Sequence, residues 1–307
     1  MINCYLIMNK MVSVIIPTYS RPDYILRAVN SVLKQTYKNV ELIVVDDNGV
    51  GTAYQKETEQ LLSPYIERKE LRYLKHDVNR NGAAARNTGI MASKGEYITF
   101  LDDDDYIYPD KLARQVEAIE ENDGYDLSYT GFRIILKGKE LKRVCPKRKG
   151  DMQYGLLTCR WGIGTGSNPM FTRKVIEATG LFDESFQRHQ DIEYLVRVFR
   201  NFKVVPVCEV LIDRFIDSRI NSIDYEKFIV VKNKFLNTFK ADIEKYPMPL
   251  QKIIYRNQYA DIACHAMQAK AYKVAWKYYK KAASYKMLSF RIIAKAMAYG
   301  FLDFKIE

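Results

Sequence analysis

Four short apolar runs, at 12–16, 40–45, 71–74 and 97–101, alternate with stretches of helical periodicity along the first third of the chain. Runs of this length, rich in β-branched and aromatic residues, read as buried strands. Between them, Pro22 suits the first turn of a helix, and Tyr24, Ile25, Ala28, Val29 and Val32 recur at helical spacing after it. Further helices are expected over 53–62 and 83–93. Strands alternating with helices imply βαβ units, hence an α/β fold with a mainly parallel sheet and helices on both faces. In such sheets ligands bind beyond the carboxyl ends of the strands. Three marked polar clusters fall at those ends: Thr18-Tyr19, Asp46-Asp47 and Asp102-Asp103-Asp104-Asp105.

The aspartate quartet carries the most chemistry. Four adjacent carboxylates repel and raise one another's pKa unless a cation or hydrogen-bond donors lie among them. Oxygen-only ligands suit a hard divalent ion, Mg²⁺ or Mn²⁺, above all one that also holds phosphate oxygens. A solvated acidic turn is the plain alternative. If a metal bridges a diphosphate there, the neighbouring strand ends can serve the rest of a nucleotide. Asp47 can accept from a base or ribose, Tyr19 offers an aromatic face, Thr18 a hydroxyl and Arg86 a cation. Packing, turn-forming and solvated roles compete for each of these singly.

Beyond the quartet, helix is expected over 111–121 and strand over 127–131. A hairpin over 132–144 turns at Lys137-Gly138-Lys139. A loop at 162–169, a short strand at 170–171 and a helix over 173–179 follow. A Gly180-Leu181-Phe182-Asp183-Glu184 turn leads to a helix over 192–200 and a strand over 203–207. The remainder is helical: 226–240, 248–267, 270–285 and 288–301. The expected organisation is an extension (1–10), an α/β domain (11–222, with a nucleotide half 11–105 and an acceptor half 106–222) and a basic helical region (223–307).

Composition fits a globular chain of 307 residues with 48% hydrophobic and 28% charged content. No apolar run reaches membrane-spanning length, and the N-terminus lacks secretory-signal features. Five cysteines without CxxC spacing suit a reducing cytoplasm.

Ordered motifs run through the first domain. Ser13-Val14-Ile15-Ile16-Pro17-Thr18-Tyr19 with Arg21 is followed by Gln35-Thr36-Tyr37 and Glu41-Leu42-Ile43-Val44-Val45-Asp46-Asp47. Ala85-Arg86-Asn87-Thr88-Gly89 then precedes the run from Gly95 to Asp105. Together they resemble the family 2 glycosyltransferases of the GT-A fold, over about 11–215. The resemblance implies an inverting transfer from a nucleotide-sugar, most often a UDP-sugar, with Mn²⁺ or Mg²⁺. It assigns Pro17, Thr18, Tyr19, Arg21, Asp47 and Arg86 to the donor nucleotide. The family's DxD motif falls on Asp102-Asp103-Asp104, with Asp104 the metal ligand and Asp103 toward the ribose or sugar; a quartet leaves that register ambiguous by one residue. The general base matches Asp191, in Gln190-Asp191 after the Gly180–Glu184 turn, with Glu193 the alternative and a helix N-cap the competing role for Asp191. The 162–168 loop corresponds to the acceptor pocket, where Trp161 could stack on a sugar or pack in the core. A saccharide or lipid-linked acceptor and bacterial surface polysaccharide synthesis are the family's usual setting. A sugar-phosphate nucleotidyltransferase would show a Gly-rich phosphate loop, which Pro17–Arg21 lacks. An inactive nucleotide-sugar-binding scaffold would have lost motif positions.

Charge is concentrated at the C-terminal end. Residues 225–307 carry 14 Lys and two Arg against six acidic residues, which is ten of the net eleven positive charges. Lysines interleaved with Tyr272, Trp276, Tyr278 and Tyr279 suit an anionic membrane surface, which would make the protein peripheral on the inner face of the membrane. A solvated helical face is the simpler alternative. No nucleic-acid-binding motif accompanies the charge.

Overall fold

The computed structural model describes residues 10–160, 163–216 and 224–287. The extension at 1–9, Trp161 and the helix expected at 288–301 lie outside them. The elements in chain order are β1 (Val12–Thr18), α1 (Pro22–Leu33), β2 (Val40–Asp46), α2 (Ala53–Glu67), β3 (Arg72–Lys75), α3 (Gly82–Ala92) and β4 (Tyr97–Phe100). Next come β5 (Tyr106–Ile107), α4 (Lys111–Glu120), β6 (Leu127–Leu136), β7 (Lys139–Val144), α5 (Gln153–Leu157), β8 (Met170–Thr172), α6 (Arg173–Thr179), α7 (Gln190–Val198) and β9 (Val204–Ile216). Helices α8 (Tyr225–Thr238), α9 (Lys240–Glu244), α10 (Met248–Gln268) and α11 (Tyr272–Tyr285) follow among the described residues. The described residues fall into two compact units, 10–152 with 163–216, and 153–160 with 224–287.

In the first unit one sheet runs β3-β2-β1-β4-β8-β6-β9-β5, with β7 paired to β6. The first four strands are parallel. The sheet then turns mixed: β8 is antiparallel to β4 and β6, β9 is parallel to β6, and β5 is antiparallel to β9. Register is set by burial. Val12, Val14, Ile15 and Ile16 of β1 are all inaccessible, as expected of a central strand covered on both faces. On one face Ile25, Ala28, Val29 and Val32 of α1 join that core, with Leu112 and Val116 of α4. Helix α3 reaches the sheet at Gly89, where any side chain would meet the Ile15 side chain. Because β1, β2 and β4 point the same way, Thr18, Asp46 and the quartet emerge at one edge.

Several elements depart from the sequence pattern. Strand β9 runs to Ile216 rather than stopping near 207, because its later half pairs with β6 and β5 through register shifts that blur the alternation. Helix α2 continues past Pro64 to Glu67. Helix α7 begins at Gln190, so Asp191 lies in its first turn; the cap position belongs to His189, in the left-handed region at φ 60°. Two-residue β5 and five-residue α5 are too short to show a period.

The second unit is helical. Its core includes Phe235, Phe239, Ile243, Ile254 and Ala263, with Phe235 and Phe239 in tilted ring contact at 4.8 Å. Asp224 caps α8 by accepting from the Glu226 and Lys227 amides at 3.1 Å. The segment 153–160, expected within the first domain, packs here instead. Asn257 Nδ2 donates to Thr158 O at 2.8 Å and Gln258 Nε2 to Leu157 O at 2.7 Å, serving carbonyls at the end of α5. Buried Lys232 is held by Asp261 at 2.9 Å and the Gln258 side chain at 3.0 Å.

Lys111 is an exception to charge pairing. At the start of α4 it is fully buried, no carboxylate pairs with it among the described residues, and burial alone pulls its amine down to about 7. An unfolded lysine titrates near ~10.4. Between those values the unfolded chain binds the extra proton, so this group adds stability as pH rises from about 7 to about 10. Lys111→Met should raise unfolding free energy by about 1–3 kcal/mol at pH 7. In denaturant titrations its advantage should narrow by pH 9.5 as the wild type gains; an advantage independent of pH would refute a buried neutral amine.

Candidate active site

The quartet follows the last residues of β4, and its members alternate as a strand would. Asp103 and Asp105 are buried, whereas Asp102 and Asp104 are half-buried and reach the surface. Asp103 Oδ2 accepts from the Thr18 hydroxyl at 2.8 Å and more weakly from the Tyr19 amide at 3.4 Å. Arg21 places Nη2 2.8 Å from Asp103 Oδ1 and Nη1 against Asp104 Oδ2. The first contact is an ion pair without hydrogen-bond alignment, and Oδ1 has no other partner among the described residues. Burial outweighs Arg21 and lifts Asp103 to about 7. Burial also raises Asp104, again against Arg21. Asp105 stands well above the carboxylate range, from burial and then from its neighbours Asp102 and Asp104.

Donors come from the loop before β8. Ser167 Oγ donates to Asp105 Oδ2 at 2.6 Å and accepts from the Asp102 amide at 3.0 Å. Thr165 Oγ1 lies 3.4 Å from Asp102 Oδ2 and 3.3 Å from Asp105 Oδ2. The loop expected to shape an acceptor pocket therefore also clamps the acidic cluster. It is itself pinned by buried Asn168, which donates to Thr130 O at 2.9 Å and accepts from the Thr130 amide at 2.8 Å.

Asp47, just past β2, is buried and fully engaged. Its Oδ1 takes His76 Nδ1 at 2.7 Å and the Arg80 amide at 2.8 Å. Its Oδ2 takes Asn79 Nδ2 and the Asn81 amide, both at 2.8 Å. His76 Nε2 meets Thr88 Oγ1 at 2.8 Å. This carboxylate shapes the loop over 76–81 and so places the start of α3. Tyr19, by contrast, is half exposed, with its ring open at the same sheet edge. Pro17 is half-buried beside it.

Arg86 joins the quartet to α7. Its Nη2 pairs with Asp102 Oδ1 at 2.7 Å, and Nη1 donates to Gln190 Oε1 at 3.1 Å. Gln190 Nε2 reaches back to Asn81 Oδ1 at 3.3 Å and to Phe186 O at 2.9 Å. Asn87 fixes the preceding turn, accepting from the Phe182 amide at 2.8 Å and donating to Phe182 O at 3.0 Å, and Phe182 stacks on Tyr194 of α7 at 4.1 Å. Asp191 is thereby held beside this group. Burial pushes its carboxyl up, Arg86 opposes the rise and Asp102 adds to it. Glu193 points elsewhere: it is buried in a bidentate pair with Arg197 at 2.6 and 3.0 Å, which ties α7 to the carbonyls of Thr179 and Leu181. Trp161, expected near the acceptor, lies outside the described residues.

Residues 13–180 match the family model described as glycosyl transferase family 2. The chain belongs to that family. Among family relatives, it is 33% identical to an uncharacterised glycosyltransferase of Rickettsia conorii over 206 residues, 66% of this chain and 33% of that protein. It spans only about a third of the length of this and two other Rickettsia relatives. Amylovoran biosynthesis glycosyltransferase AmsB of Erwinia amylovora is 31% identical over 219 residues, 68% of this chain and 71% of that protein. The fold is that of the GT-A transferases. Residues 1–349 of S. aureus TarS, solved with UDP-GlcNAc, align with a TM-score of 0.67 at 17% identity over 94% of this chain and 84% of that one. The mannosyltransferase PcManGT of Pyrobaculum calidifontis, solved with GDP-Man and Mn²⁺, aligns with a TM-score of 0.56 at 18% identity, over 93% and 78% of the two chains.

The family's divalent cation can be tested against these side chains. Three quartet carboxyls carry raised pKa values and Asp103 Oδ1 lacks an aligned donor, so the cluster has unmet negative charge. The donors are all oxygen, as a hard cation requires. Among the described residues no group of three or more His, Cys, Asp or Glu is arranged to hold a metal. The residues fit an ion held by one or two carboxylates and completed by phosphate and water.

Four groups at the cluster have roles that sequence pattern does not signal. Arg27 donates Nη2 to Asp104 O and stacks over Phe215 at 3.7 Å. Arg214 lowers the pKa of Asp104 and Asp105, opposing their rise. Thr165 and Ser167 supply hydroxyls. A basic residue at i+5 from Pro22 carries no signal by itself, and Arg214 lay beyond the expected end of β9.

The Asp103 shift sets a sign. The folded state keeps a proton that an unfolded carboxyl loses near ~4, so wild-type stability falls as pH rises from about 4 to about 7. Asp103→Asn cannot titrate. It should be more stable than wild type by about 1–3 kcal/mol at pH 8 and nearly equal to it at about pH 4, measured by thermal melts without added metal. A gap that does not change with pH would refute the raised Asp103.

Proposed function

We propose that the protein is an inverting glycosyltransferase, moving a sugar from a nucleotide-sugar, with UDP-sugars the favoured class, to a hydroxyl of a saccharide or lipid-linked saccharide in bacterial surface polysaccharide synthesis. One observation carries the reading: Arg86 pairs with Asp102 of the quartet and donates to Gln190, which brings the first turn of α7, with Asp191, into electrostatic reach of both. That arrangement supports reading Arg86 as an anion-binding group and Asp191 as the base of one site. AmsB, by its name a polysaccharide-biosynthesis enzyme, supports the setting.

The donor nucleotide sits on Pro17, Thr18, Tyr19, Arg21, Asp47, Arg86, Asp102 and Asp103. Tyr19 offers its open face to the base, and Asp47 acts by holding the loop it anchors. Alternating exposure favours Asp104 over its buried neighbours as ligand to Mn²⁺ or Mg²⁺, with Asp102 the nearest second carboxylate. When bound, that ion neutralises charge on the departing diphosphate. Arg21 and Arg86 add fixed positive charge in a partly buried setting, where it counts for more than in water.

Transfer is a single displacement. Asp191 takes the proton from the acceptor hydroxyl, that oxygen attacks the anomeric carbon, and the bond to the diphosphate breaks. A carboxyl raised by burial is a stronger base than a solvated one. Glu193, tied up with Arg197, contributes to the acceptor side by fixing α7. Trp161 is assigned to the acceptor. The α/β domain within 11–222, apart from the segment 153–160, performs the chemistry, and the basic region over 223–307 brings the protein to the inner face of the membrane from the cytoplasm. No helix among the described residues is long and apolar enough to cross a membrane.

Donor binding and transfer separate the roles. With a panel of nucleotide-sugars and Mn²⁺, Asp104→Ala should lose metal-dependent donor binding. Asp191→Asn should bind donor normally yet transfer about 10²–10⁴-fold more slowly. The acid limb of the wild-type kcat/KM profile should lie above the ordinary carboxylate range, as the raised Asp191 requires. Equal transfer by all three proteins would overturn the mechanism.

A further inference from the structure

Helix α11 presents two unlike faces. Ala275, Tyr278, Tyr279 and Ala282 are buried. They are turned toward α10, where the Tyr278 and Tyr259 rings lie 6.2 Å apart and Tyr279 OH meets Cys264 Sγ at 3.4 Å. Lys281 folds back over the Tyr259 ring at 4.1 Å. On the flank beside that face Trp276 meets the Tyr279 ring edge-on at 5.9 Å, and the line it belongs to is otherwise left in water. Trp276 leaves 60% of its surface in solvent and Tyr272 48%. They stand one turn apart, on the same line of the helix. Lys273, Lys277 and Lys280, all exposed, recur at the i, i+4 and i+7 spacing that makes the adjoining line. Between Tyr272 and Tyr285 there is no acidic residue to answer them.

A large aromatic side chain held in water on a well-packed helix is uncommon, since Trp is on average highly buried. Its neighbours decide the partner. Trp and Tyr settle at the headgroup level of bilayers, and lysines beside them gain from anionic lipid. A single-stranded nucleic acid could offer bases for Trp276 to stack on, but it is recognised along a groove of several such aromatics, and no nucleic-acid motif accompanies this short line. We propose that the Tyr272–Trp276 line, flanked by Lys273, Lys277 and Lys280, docks the chain onto an anionic lipid bilayer, an inference that rests on the peripheral-membrane reading above and adds the residues and the lipid charge. Trp276 enters the boundary between headgroups and acyl chains, and the three lysines lie over lipid phosphates. The lysine charge sets which membrane is chosen, and the aromatic pair sets the depth.

The full chain is tested by co-sedimentation with vesicles of phosphatidylcholine alone or mixed with phosphatidylglycerol. Wild type should bind the mixed vesicles and not the neutral ones. Substituting Lys273→Gln, Lys277→Gln and Lys280→Gln together should weaken binding roughly a hundredfold, from about 1 kcal/mol per lysine at the surface. Trp emission should shift to shorter wavelength on binding, and Trp276→Phe should abolish that shift. Circular dichroism and nucleotide-sugar binding, unchanged in these variants, show that the fold is kept. Variants that bind like wild type overturn this face and leave a membrane role for other residues. A wild-type chain that binds neither vesicle overturns both the face and the peripheral reading, while donor binding reports separately on the transferase reading. A short RNA that binds with the same lysine dependence and leaves the Trp276 emission unshifted reassigns the face and also overturns the proposal.

Discussion

Everything at the carboxyl edge of the sheet is arranged around one electrostatic difficulty, four adjacent carboxyl groups of which two are buried. Carboxylates taken out of water repel each other and lose hydration at once. The chain answers with Arg21, Arg27, Arg86 and Arg214 around the cluster and with hydroxyls from Thr18, Thr165 and Ser167. The answer is incomplete, as the raised Asp103, Asp104 and Asp105 show. A site left short of positive charge is one that a cation improves. Holding these carboxyl groups together costs local stability.

The second requirement is that groups far apart in the chain keep their distances. Asp47 organises the loop over 76–81, Asn81 caps α3, and Gln190 bridges Asn81 to Arg86. One hydrogen-bonded path therefore runs from the end of β2 to the first turn of α7. Asp47 and Asn81 stand at the ends of β2 and α3, and Arg86 and Gln190 lie within helices, which favours fixed geometry along the path. The left-handed His189 lets the chain enter α7 at the angle this path needs.

Much of this was legible beforehand. The parallel half of the sheet follows from the alternation of apolar runs with helical periods, and the polar clusters at the strand ends are where ligand chemistry belongs. What sequence pattern could not carry were the pairings made across the sheet. β9 reads as five residues by periodicity because bulges disturb its later half, and so Arg214 stayed out of view. Asp47 stands out by its position, whereas the four donors it takes from the loop over 76–81 leave no mark in the sequence pattern. Glu193 looks equivalent to Asp191 two residues away, and only the third dimension shows that Arg197 holds it.

The short excursion at 153–160 has a consequence for how the protein can be divided. The chain leaves the α/β unit there, contributes α5 to the helical unit, and returns at 163 before entering that unit again. Thr158 and Leu157 give their carbonyls to Asn257 and Gln258. Removing the C-terminal helices would leave these carbonyls without donors in the middle of the remaining polypeptide. The segment they end leads directly into the loop whose Thr165 and Ser167 hold the acidic cluster. The basic helices are accordingly not a detachable tail. The two units are interleaved in sequence, and an insertion or deletion in one changes what the other must hold.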